Sequence, residues 1–159
     1  MYRLPDGLEL FDTRTVAGRG VRATRRLDYR EGDDEANCLG LYRGELLSRD
    51  QIDLRYGPSG DAVYAIRVGE EDWYIDAVSG GPDSWARVIN DPGVPGGENV
   101  EFVADTDAKE VWVVLKRTVG EGEQLLAEYN PHQLPASAGG YSFGGTHLPL
   151  GETDRSDTL

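Results

Sequence analysis

Short apolar runs, alternating or continuous, recur along the chain between glycines and charged turns, and this pattern predicts strands far more than helices. The runs place strands at Leu8–Asp12, Gly20–Thr24, Asn37–Tyr42, Val63–Val68, Trp73–Asp76, Val100–Val103, Val111–Lys116 and Gln124–Ala127. Val111-Trp112-Val113-Val114-Leu115 is apolar throughout, the pattern of a strand covered on both faces. One stretch predicts a helix. Ser48 with Gln51 three residues on forms a capping-box pattern, Ile52, Leu54 and Tyr56 follow, and Gly57-Pro58 ends it. Gly32–Ala36 reads as a polar loop. Residues 1–135 read as one domain, and 136–159, rich in Gly, Ser, Thr and Asp, as an extension that is mobile beyond about Gly151.

At 159 residues the chain is long enough to bury a core without covalent staples. Its 21 glycines fit many tight turns between brief strands. A single cysteine, Cys38, allows no intramolecular disulfide and points to an intracellular site, nuclear or cytoplasmic. Two histidines and one cysteine do not make a zinc site, and no run approaches the length needed to span a membrane. With 16 basic and 29 acidic residues the formal net charge is −13, which argues against nucleic acid as a partner. That charge suits a basic partner steered by the protein's field, and it equally suits plain solubility.

Gly18-Arg19-Gly20 is followed by the alternating Val21-Arg22-Ala23-Thr24 and not by a helical stripe, so it does not open a dinucleotide-binding fold. On its own it is a hairpin turn. It precedes, in order, Tyr42-Arg43-Gly44-Glu45, Tyr64, Tyr74-Ile75-Asp76-Ala77, Arg87-Val88-Ile89-Asn90 and Gly122-Glu123-Gln124-Leu125-Leu126-Ala127-Glu128-Tyr129. This ordered set resembles the SET-domain protein lysine methyltransferases from about Leu8 to Pro131. The resemblance implies a mostly β, β-clip fold of several short sheets, with one or two short helices and a knot-like C-terminal crossing. It also implies S-adenosylmethionine as cofactor and a basic protein segment as substrate, histone tails being the leading class.

On the same resemblance, the backbone of Gly18, Arg19 and Gly20 lies against the donor, Asn90 binds its amino-acid end, and Arg87 braces the crossing. Tyr129 is the catalytic tyrosine, Tyr42 lines the lysine channel, and Tyr64 either lines it or packs across strands. The chain departs from the family at Asn90-Asp91-Pro92, where Asn-His-Ser is usual. Asp91 still offers main-chain atoms to the donor, while the histidine's side-chain bond to the next segment is lost or inverted. Asp76 reads as a hydrogen-bonding scaffold residue. Neither the cysteine-rich segment that often precedes the domain in the family nor the zinc cluster that often follows it is expected here, and Tyr141 or Phe143 either folds back to finish the channel or patches the core. A rival reading follows from Asp91: a SET-like acidic module that binds proteins without catalysis. The sequence leaves the oligomeric state open.

Overall fold

The computed structural model describes residues 1–57 and 62–129. Eight strands fall into three small antiparallel sheets among these residues. The first is a hairpin of β1 (Leu8–Asp12) and β2 (Arg19–Ala23). The second has the order β3 (Cys38–Leu41), β8 (Glu110–Leu115), β7 (Val100–Asp105). The third has the order β4 (Glu45–Ser48), β6 (Trp73–Asp76), β5 (Ala65–Arg67). Helices are brief: α1 (Asp34–Asn37), α2 (Arg49–Tyr56) and a 3-10 turn over Trp85–Val88. The mostly β architecture with two short helices is the one the sequence predicts.

Local chemistry sets the boundaries. Ser48 accepts from the Gln51 backbone N–H while the Gln51 side chain accepts from Ser48 N at 2.8 Å, a complete capping box that starts α2 where the sequence places it. Gly57, at φ 76°, ends it. The helix buries Ile52 alone and leaves Leu54 exposed, so polar contacts hold much of it in place. Tyr56 Oη donates to the buried Asp76 carboxylate at 2.5 Å, and Arg55 pairs with the same group at 3.1 Å. Asp76 is thus the scaffold residue expected.

Three expectations need correction. Gly32–Ala36 is not all loop, because the Asp33 side chain caps a single helical turn that runs directly into β3. β8 is fully buried on one face only: Val111, Val113 and Leu115 are in the core, whereas Trp112 and Val114 are half-exposed. Gln124–Ala127 is not a ladder strand. Its backbone partners change at nearly every step, with Leu125 N donating to Val21 O, Ala127 N to Asn90 O, and Val100 N to Leu126 O. The segment passes between β2 on one side and residues 90–100 on the other, the crossing that the resemblance implies. Asn99, fully buried, fastens it by donating to Gln124 O at 2.8 Å and accepting from Leu126 N at 2.8 Å.

Gly44 lets the turn after β3 lie against β6. A Cβ there would sit 2.5 Å from Asp76 O and 2.9 Å from Ala77 N, both main-chain atoms that cannot swing aside. Gly44→Ala is expected to cost about 1–3 kcal/mol. The check is a lower urea midpoint with an unchanged slope.

Candidate active site

The main core gathers Tyr42, Tyr64, Val88, Ile89, Val100, Val113, Leu125 and Tyr129 between the hairpin and the second sheet. Within it the predicted site residues form one connected circuit. Tyr42 Oη donates to Tyr64 O at 2.8 Å, and the Tyr42 ring meets Phe102 edge-on with centroids 5.5 Å apart. Phe102 in turn meets the Tyr129 ring at 4.9 Å. Tyr129 Oη donates to Ile89 O at 2.7 Å and lies 3.3 Å from Ala86 O, so the 3-10 turn holds the tyrosine's tip.

Arg87 closes the circuit from the other side. It is 7 % exposed, an unusual fate for a guanidinium. The group is satisfied there: Nη1 donates to Ala77 O at 3.1 Å and Val78 O at 3.2 Å, and Nε donates to Tyr2 Oη at 2.5 Å. Its charge lies 4.5 Å from the centroid of the Tyr64 ring. The guanidinium groups of Arg19 and Arg87 both lie over the Tyr2 ring, each 5.6 Å from its centroid. Tyr2 is pinned by its neighbour, since Arg3 N donates to Pro82 O at 2.7 Å.

Asn90 sits where the hairpin meets the crossing. Its Nδ2 donates to Arg19 O at 3.0 Å and to Gln124 Oε1 at 2.9 Å. Gly20 leaves its backbone bare at this point: a Cβ would come within 2.5 Å of Gln124 Oε1 and 3.1 Å of Asn90 Nδ2. Gly18 plays a different part. Its carbonyl accepts from Thr13 N and its N–H donates to Thr15 O, so it shapes the β1–β2 turn at φ 76°. Asp91 reaches the following segment after all, with its polarity inverted relative to a donating histidine: its carboxylate accepts from Tyr129 N at 3.2 Å and from Gly93 N at 2.7 Å.

Burial pushes the phenols of Tyr42 and Tyr129 well above the ordinary value near 10, and neighbouring acidic and phenolic groups add to the rise. Both hydroxyls therefore stay protonated through the physiological range and act as donors and neutral walls, not as bases.

The structure brings together Tyr42, Tyr64, Tyr129, Arg87, Asn90, Asp91, Arg19 and Gly20, and leaves Gly18 to the turn. Sequence reasoning missed Tyr2, Phe102 and Gln124. Phe102 carried a usable signal, since period-2 alternation from Val100 puts it on the core face. Tyr141 and Phe143 lie outside the described residues.

The fold is SET-like. Among solved structures, the chain is similar to the methyltransferase domain of human PR domain-containing protein 2, with a TM-score of 0.56 and 20% sequence identity. The likeness covers 83% of this chain and 82% of that one, and at this identity it shows the fold. No family model matches the sequence, and no curated protein matches it.

Proposed function

We propose that the chain is a protein lysine methyltransferase that takes its methyl group from S-adenosylmethionine and acts on a basic protein segment, histone tails being the leading class. One observation carries the reading. Asn90 and Tyr129 come from segments far apart in sequence, yet Ala127 N donates to Asn90 O and Tyr129 Oη donates to Ile89 O, with the Asn90 amide against the Gly20 backbone.

The residues present suit the donor's amino-acid end. The Asn90 amide and main-chain carbonyls are acceptors for an ammonium, and the Arg19 guanidinium matches a carboxylate. Bound there, S-adenosylmethionine would supply an electrophilic methyl on a sulfonium. The chain's task is then positional. Tyr42, Tyr64, Phe102 and Tyr129 make an apolar wall that disfavours an ammonium and so lowers the pKa of an entering lysine from roughly 10.4. With both buried phenols protonated, the proton lost by that lysine goes to solvent before transfer and not to a tyrosine.

Calorimetric titration with S-adenosylmethionine and with its demethylated product tests the cofactor. Saturable one-site binding is expected, weakened roughly tenfold in Asn90→Ala by loss of a polar contact. A specific observation favours a second reading. The Gln124 carbonyl fills the space against Gly20, and the Tyr129 hydroxyl is engaged by the main chain, as suits an acidic protein-binding module without chemistry. Absence of binding by either ligand, with histone peptide present, would favour that module.

A further inference from the structure

The second sheet has two faces, and the site uses one. Alternation along β7 turns Phe102 toward Tyr42 and Tyr129, and turns Glu101 and Val103 the opposite way. Along β8, Val111, Val113 and Leu115 enter the core while Trp112 and Val114 face out. Register aligns these outward residues into rows. Val114 stands opposite Cys38 on β3 and Glu101 on β7, and Trp112 stands opposite Val103.

The result is a groove of about 410 Å³, lined by Cys38, Val103, Trp112, Val114, Glu101 and the α1 pair Asp34 and Glu35. Its floor is apolar. Val103 is 40% exposed, and burial pushes the Cys38 thiol up so that it stays uncharged. Its rim carries three carboxylates from two separate elements, and no basic side chain among the described residues lines it.

We propose that this outer face is a docking groove for a Lys/Arg-rich segment of another protein, one in which an apolar residue stands between cations. The apolar side chain seats on Val103 and Val114. A flanking cation stacks on the Trp112 ring, and its neighbours pair with Glu35 and Glu101. Charge selects this occupant over a second copy of the chain, because two molecules of net charge −13 meeting at acidic rims repel each other. The groove lies across the sheet from Tyr129, so a bound segment does not meet that residue. The inference does not depend on methyl transfer.

The test uses the full chain and a short synthetic peptide alternating lysine with valine, titrated at low salt while the Trp112 indole N–H resonance is followed. That signal is assigned with Trp112→Phe. Saturable binding that moves the Trp112 signal and fades with salt is expected. Glu35→Lys with Glu101→Lys should weaken it at least tenfold. Glu70→Lys with Glu121→Lys, both exposed sites outside the groove, changes net charge by the same amount and should leave affinity within about twofold of wild type. Equal weakening by both pairs would mean attraction by the whole-protein field alone, and would overturn the proposal. So would a Trp112 signal that stays still, or one that moves with protein concentration before peptide is added, which would mark the groove as a contact between copies. Donor titration of the Glu35/Glu101 variant should match wild type, so failure here is separable from failure of the methyltransferase reading.

Discussion

Tyr129→Phe is expected to lower kcat for methyl transfer about 100-fold, the scale on which small losses of reacting geometry act, while S-adenosylmethionine still binds. The hydroxyl's bond to Ile89 O ties the tyrosine to the segment that carries Asn90. Without it the ring keeps its edge contact with Phe102 but loses its anchor at the 3-10 turn. The buried carbonyl left behind costs about 1–3 kcal/mol of stability, so activity is read well below the variant's melting range. A pH profile distinguishes positioning from base catalysis. Because burial holds this phenol protonated to well above pH 10, the wild-type rate should rise with pH as the substrate amine loses its proton, with no inflection from Tyr129. The variant should keep that shape at a lower level. Unchanged kcat would remove Tyr129 from the chemistry.

Arg87→Ala should be strongly destabilising, by about 3 kcal/mol, since charge-assisted hydrogen bonds contribute about 1.5–3 kcal/mol each and the guanidinium itself is buried. Val78 O and Tyr2 Oη lose this donor, Ala77 O keeps only its bond from Gly80 N, and Tyr64 loses the cation over its ring. Lysine should rescue little. One ammonium cannot reproduce a planar fork that reaches two carbonyls from one nitrogen and a phenol from another. Urea unfolding of wild type, Arg87→Lys and Arg87→Ala checks this, the expectation being that both variants shift the midpoint strongly and in that order. An Arg87→Lys protein as stable as wild type would show that charge, and not geometry, is what the core requires.

Where sequence and structure agree, the deciding interactions are local. β1 and β6 begin and end where alternation meets turn residues, and α2 starts at a cap formed within four residues. β4 escaped notice because it is short, half exposed and overlaps the Tyr42-Arg43-Gly44-Glu45 turn. Gln124–Ala127 reads as a strand because its side chains fit one, but partners that change from residue to residue leave no mark on a hydrophobic pattern. The site divides the same way. The ordered motifs locate Asn90 and Tyr129. Tyr2 lies outside every predicted element, and its contact with Arg87 spans 85 positions. Likewise nothing near Asn90 announces that Gln124 will turn its amide.

The passage of residues 124–127 between β2 and residues 90–100 also bears on the order in which the protein comes into being. Its contacts join positions 25 or more apart, and loop-closure entropy delays such contacts until nearer ones have formed. Tyr129 lies two residues beyond this segment, so the tyrosine reaches Ile89 only once the passage is complete. A chain caught before that step can have a finished hairpin and finished sheets and yet possess no site at all. Any ligand that needs Asn90 and Tyr129 together recognises the completed crossing alone, and by mass action it acts as a latch on the last event of folding.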